Sequence, residues 1–193
     1  MKKLFLPLIV LVTMFACQAP ETKPTDAATS EDKEGGIYVS LDDKTAKVKQ
    51  LIEAYMKNDT LVAHEIYADT LKAIDGFANN VDSLNKFKVS PGGRAAFVKA
   101  DMFTHTLFSD ITMTLNSGDL KTFTGNNGQV ATGYWGLWTG KGKYTNAETK
   151  VPLHMILWWE GDKVVQIYRI FDPATLTAEV AASQTKKLTK SKT

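Results

Sequence analysis

His154 is the side chain best placed in this sequence to move a proton. It stands inside the apolar run 151–160, Val-Pro-Leu-His-Met-Ile-Leu-Trp-Trp-Glu. An imidazole changes charge near neutrality, and a cationic neighbour or burial holds it neutral and able to shuttle a proton. Gly161-Asp162 follows, a pair suited to a tight hairpin turn, and then a second apolar run over 163–171. Pairing residue 160 with 163 places 154 opposite 169. His154 and Arg169 would then share a face with Ile156, Trp158, Val165, Ile167 and Phe171. The other face would carry Leu153, Met155, Leu157, Trp159, Tyr168, Ile170 and Asp172. Both faces are apolar, so the alternation leaves open which one points inward. The alternative role for His154 is a hydrogen-bonded histidine in a cavity wall or a subunit contact.

Other chemistries lack their residues. Gly140-Lys141-Gly142-Lys143 has neither the glycine spacing nor the Lys-Ser/Thr end of a phosphate loop. His64, His105 and His154 are scattered, with no carboxylates at ligand spacing, so no metal and no cofactor is expected. There is no Gly-x-Ser-x-Gly elbow for a nucleophilic serine. Asp110, just before an alternating stretch, reads as a turn residue. The formal charge of the 193 residues is +2, which gives no basis for a nucleic-acid partner. A single cysteine excludes an internal disulfide.

That cysteine has an address of its own. Lys2 and Lys3 precede the apolar run 4–16, too short to span a bilayer comfortably but suited to a signal peptide. The run ends at Phe15-Ala16-Cys17, which resembles the lipobox of bacterial lipoproteins. The resemblance implies cleavage after residue 16, lipidation of Cys17, and a chain held to a membrane in the cell envelope. The alternative is an ordinary secretory signal with a chance cysteine. Acyl chains contribute roughly 0.8 kcal/mol per buried methylene, enough together to anchor the chain. Loss of Lys2 and Lys3 would leave 21 basic and 21 acidic residues, so polybasic membrane attraction is not needed. Residues 17–36 are polar and rich in Pro, Thr and Ala, a flexible tether. The folded domain is expected over 37–182, with a basic polar tail over 183–193.

Within the domain, Asp42 and Asp43 are N-cap candidates for a helix over 44–57. Val48, Leu51, Ile52, Tyr55 and Met56 fall on one face of it. A second helix is expected over 60–67. The polar, asparagine-rich stretch 76–89 reads as irregular and placed to cover a cavity mouth. Ser90-Pro91 would start a third helix, running to residue 107, with Ala96, Ala100, Phe103 and Leu107 on one face. Strands are then expected over 111–115, 120–124 and 130–139, a polar loop over 140–150, and the closing hairpin. Helices followed by antiparallel strands make an α+β domain, with the helices on one face of a curved sheet.

The order of elements resembles the nuclear transport factor 2-like superfamily, and within it the SnoaL-like polyketide cyclases. The stretch His154 to Asp172, the strand Tyr134-Trp135-Gly136-Leu137-Trp138-Thr139-Gly140, and Tyr67-Ala68-Asp69 closing the second helix carry the resemblance. It implies a cone: a strongly bent sheet that wraps a long helix around an apolar pocket. Members include cyclases, isomerases, small-molecule binders and interaction domains, and homodimers through the outer sheet face are frequent. Residues 67–75 are also similar to a stretch of ketosteroid isomerases, where the second of two aspartates removes a proton beside a carbonyl. That similarity gives Asp75 the role of base; the alternative is a loop or capping residue. Leu51 stands where such enzymes carry a tyrosine, and Tyr55 lies one turn on. Asp172 matches the terminal aspartate of SnoaL-like hairpins, a second candidate acid or base; the alternative, since it precedes Pro173, is a turn cap. Asp75, His154 and Asp172 are thus the candidate catalytic groups. Tyr55, Trp135, Trp138, Trp158, Tyr168 and Arg169 are the candidate ligand contacts. The leading expectation is a membrane-anchored domain binding a small apolar molecule in the cone, as a homodimer. Alternatives are proton-transfer chemistry on a carbonyl compound, or a scaffold in the envelope.

Overall fold

The computed structural model describes residues 36–39, 42–76, 80–84 and 86–190. The expected signal segment, Cys17 and the tether up to residue 35 lie outside them. Helix α1, Asp43–Met56, begins at a capping box: the Asp42 carboxylate accepts from the Thr45 amide at 2.8 Å, and the Thr45 hydroxyl accepts from the Asp42 amide at 3.0 Å. This satisfies main-chain groups that a helix start leaves unpaired. Val48, Leu51 and Ile52 are buried, as their spacing requires. Helix α2, Leu61–Ile66, follows after Asn58 takes a left-handed conformation with φ 56°.

The sheet is built from β1 (Gly36–Val39), β2 (Tyr67–Asp75), β3 (Val89–Ser90), β4 (Phe108–Met113), β5 (Leu120–Gly125), β6 (Val130–Gly142), β7 (Glu148–Glu160) and β8 (Lys163–Ile170). Its order is β1-β5-β6-β7-β8-β2-β3, and β4 also pairs with β6. The two ends of the long β6 share one edge between β5 and β4, while β7 runs along the other edge for twelve registered pairs. A polar thread ties three strands to α1. Trp159 donates to the Thr132 hydroxyl at 2.9 Å, Thr132 meets Thr122 at 3.1 Å, and Thr122 donates to Asp42 at 2.9 Å. Buried polar groups need such partners.

Several boundaries differ from the sequence reading. Tyr67-Ala68-Asp69 does not close α2 but opens β2, which pairs in parallel with β8. The third helix, α3, is Gly93–Leu107 and starts later than Ser90, because Val89 and Ser90 pair with Ile74 and Ala73 of β2. Strand β4 begins at Phe108, and β6 and β7 extend far into the expected 140–150 loop. The stretch read as a polar tail is helical through Lys190, as part of α4 (Ala174–Lys190). Glu179 of α4 is 1 % exposed, and its carboxylate accepts from the Tyr144 and Thr145 amides and the Thr145 hydroxyl. That fixes α4 to the β6–β7 turn. No helix among the described residues is long and apolar enough to cross a membrane.

The register of the closing hairpin also differs. Trp158 pairs with Gln166 and Trp159 with Val164, so Val165 is an extra residue, a β-bulge. The slip places Arg169 opposite Met155 and His154 opposite Ile170. One residue of shift moves a side chain to the other face. His154 and Arg169 therefore do not share a face.

Helix α3 is seated on β2 by close contact. Gly93 has φ 59°, a region that glycine alone enters without strain. A Cβ there would lie 2.3 Å from the Asp69 carbonyl oxygen. Arg94 reinforces the seat, donating to the His64 and Tyr67 carbonyls at 2.8 and 3.1 Å and pairing with Asp69. Gly93→Ala is expected to cost about 2 kcal/mol through strain and lost approach. The check is thermal unfolding, with a melting temperature about 5 °C lower.

Candidate functional site

The concave side of the sheet encloses a cavity of about 490 Å³ against α1, α3 and the start of α4. Its walls include Leu51 and Ile52 of α1, Phe97 and Phe103 of α3, and Leu153, Met155 and Leu157 of β7. Leu176 and Thr177 of α4 border it. Trp138 lies in the wall because Gly140, two residues on, has no side chain. A Cβ at Gly140 would lie 2.6 Å from the Trp138 ring. The Trp138 indole donates to the Tyr55 hydroxyl at 3.0 Å.

One ionic cluster interrupts this apolar lining. Arg169, turned inward by the bulge, donates from Nε and Nη2 to the two oxygens of Asp75 at 2.7 and 3.1 Å. Parallel pairing sets Asp75 of β2 directly beside Arg169 of β8, which makes the bidentate geometry available. From α3, Asp101 accepts one bond from Arg169 Nη1 at 3.2 Å. The guanidinium lies 4.5 Å from the centre of the Phe97 ring.

The electrostatics follow from burial. Desolvation pushes the Asp101 carboxyl up to about 6, and Asp75 adds to the rise, while Arg169 opposes it without cancelling it. Burial would by itself lower Arg169, but Asp101 and Asp75 outweigh it and hold the guanidinium more firmly charged than usual. Desolvation and the nearby Asp101 charge raise both the Tyr55 and Tyr67 phenols, so both stay protonated.

The sequence-derived candidates separate. Asp75, Asp172, Tyr55, Trp138 and Arg169 border the cavity; His154, Trp135, Trp158 and Tyr168 do not. Asp75 has both oxygens engaged by Arg169, which leaves no lone carboxylate to act as base. Asp172 is exposed, and its Oδ1 accepts from the Ala174 amide at 2.9 Å, capping the turn into α4. His154 stacks on Trp135 with ring centres 4.7 Å apart, on the face away from the cavity, and desolvation lowers its affinity for a proton. Tyr168 packs against Phe87, so the described part of 76–89 adjoins that outer side; none of it lines the cavity. Asp101 was missed. Its signal was a carboxylate one turn after Phe97 and one before Thr104, on the same helical side. Among the described residues no group of His, Cys, Asp or Glu converges to hold a metal ion.

Asp101 binds its proton more tightly in the folded protein than in the unfolded chain. Its contribution to stability is therefore present below about pH 4 and lost as pH rises through about 6. Unfolding of wild type and Asp101→Asn across this range is expected to show the variant gaining relative stability with rising pH. Carbon NMR should show the Asp101 carboxyl titrating near 6, not near 4.

No protein-family model matches the sequence, and no curated protein is significantly similar to it. Solved structures are similar in shape. A Bacillus subtilis protein provisionally described as an isomerase superposes with TM-score 0.53 at 9 % identity, over 71 % of this chain and 91 % of its own. PrhC from Penicillium brasilianum gives 0.51 at 7 % identity, over 74 % and 88 %. A protein from Jannaschia, provisionally described as a SnoaL-like polyketide cyclase, gives 0.49 at 11 % identity, over 71 % and 90 %. At such identities the likeness concerns the fold alone. That shared fold is an α+β one, helices packed on an open curved sheet.

Proposed function

We propose that the cone binds a small, largely apolar molecule, its polar end directed at Asp101 and Arg169. The observation that carries this reading is a cavity of about 490 Å³ with a mostly apolar lining, into which Asp75, Asp101 and Arg169 bring one ionic cluster. Ligand sites have this composition: mostly apolar lining with a few polar groups that fix orientation. A second reading is proton transfer on a carbonyl ligand. It is favoured by Asp101, whose proton affinity near neutrality and unengaged second oxygen suit a general base. His154 lies outside the cavity that Asp75 and Asp172 border, and both of those carboxylates already accept hydrogen bonds, which favours Asp101 over them.

The envelope location and lipid anchor are part of the proposal and rest on residues 1–17 alone. Self-association through the outer sheet face is likewise proposed. It is supported by Trp135 and Ile170, which are 42 % and 43 % exposed there.

The neutral dye Nile red tests the pocket. Fluorescence enhancement on mixing with the protein is expected, and Leu153→Trp, which fills the cavity, should weaken binding at least about tenfold. Unchanged binding in a folded Leu153→Trp protein would place the dye elsewhere. Native mass spectrometry of the same preparation would report a carried ligand and a dimer. For the anchor, Cys17→Ser should move the protein from the membrane fraction to the soluble fraction after cell lysis.

A further inference from the structure

The charges around the cavity do not balance. Three carboxylates border it, Asp75, Asp101 and Asp172, against one guanidinium, Arg169. Within the cluster, the pairing is also unequal. Asp75 takes two bonds from Arg169, and Asp101 takes one, the longest of the three at 3.2 Å. The second oxygen of Asp101 accepts no hydrogen bond among the described residues. Aromatic rings line the same cavity: Tyr55, Tyr67 and Phe97, with Arg169 already over the face of Phe97. An aromatic wall beside a carboxylate that is desolvated but incompletely paired attracts positive charge through both the Coulomb and the ring-quadrupole terms.

We infer that the cone selects a lipophilic cation, an apolar molecule carrying one ammonium group that pairs with Asp101 beside Arg169. This rests on the cavity being the ligand site. A ligand carboxylate would add a fourth negative group to the lining. A neutral ligand would leave Asp101 as it is, partly buried and half-paired. An ammonium completes the carboxylate's pairing and brings the two acids and two bases of the cluster to balance, while its apolar body fills the space bounded by Leu153 and Met155.

The carboxylate's own proton competes with the ligand. Asp101 is pushed up to about 6 by burial, and the groups facing it are Arg169 from β8, Asp75 and Tyr67 from β2, Tyr55 from α1, Asp59 from the α1–α2 turn, and His105 from its own helix. Both phenols stay protonated, so Asp101 is the acid in this group whose protonation near 6 would expel a cation. Affinity for an ammonium is expected to fall as pH drops through that value, while an alkylamine remains fully charged.

Calorimetric titration of the full-length protein with phenylbutylamine, phenylbutanol and phenylbutyrate tests the inference, since the three share one apolar body. At about pH 8 the amine is expected to bind at least about tenfold tighter than the alcohol, and the acid weakest. The amine's advantage should shrink below about pH 6, with the alcohol unchanged. Asp101→Asn should bring amine and alcohol within about twofold. If the alcohol binds and the amine binds no tighter, or if the acid binds best, selection of a cation is overturned and the cavity remains a ligand site. If none of the three binds a folded protein, the reading of the cavity falls and the inference falls with it. The comparison of the three probes on wild type needs no variant, so a poorly folding Asp101→Asn would not rescue the idea.

Discussion

A guanidinium turned into the concave side of the sheet organises this domain. Arg169 sits where neighbouring strand residues are apolar, and a charge withdrawn from water persists only when it is paired and hydrogen-bonded. Two elements supply the partners. Asp75 comes from the adjacent parallel strand, level with Arg169 in the register, and Asp101 from the helix that crosses above. The Phe97 ring supports the guanidinium face. Loss of either carboxylate would leave a partly buried charge less compensated, a costly outcome.

Several features far apart in the chain serve this one arrangement. The bulge at Val165 decides that Arg169 faces inward. The parallel pairing of β2 and β8 brings Asp75 level with it, and the main chain reinforces the contact where the Gly76 amide donates to the Arg169 carbonyl at 2.6 Å. Gly93 and Arg94 bring α3 down onto β2, close enough for Asp101 to reach across. On the other side, the thread from Trp159 to Asp42 locks α1 in place and so fixes Tyr55 and Leu51 in the opposite wall. Glu179 holds α4 against the β6–β7 turn, so that Leu176 closes part of the rim.

The sheet has two aromatic faces with different surroundings. Inside, Trp138 and Tyr55 line the cavity and bond to each other. Outside, Trp135 and His154 stack, Phe123 lies 5.9 Å from Trp135, and Tyr168 covers Phe87. An exposed aromatic face of this kind suits contact with another surface, and an enclosed one suits a ligand. The alternation of strand residues assigns each ring to its face once the register is known.

Much of the fold was legible in local pattern. The α1 face of Val48, Leu51 and Ile52, the Asp42 cap, and the succession of strands after α3 all follow from spacing over a few residues, where side-chain periodicity and capping chemistry act. The expected layout of helices on one face of a curved sheet is present. The site was legible only in part: Asp75, Asp172, Arg169, Tyr55 and Trp138 were named from the sequence, and all five border the cavity. Which of them meet was decided by long-range geometry. A single bulge separates His154 from Arg169, and no local signal in Lys-Val-Val-Gln-Ile-Tyr marks it. Asp101 acquires its proton affinity only when α3 is pressed against a strand nearly thirty positions earlier and another nearly seventy later. A carboxylate's desolvation depends on what surrounds it in space, and sequence neighbours do not set that.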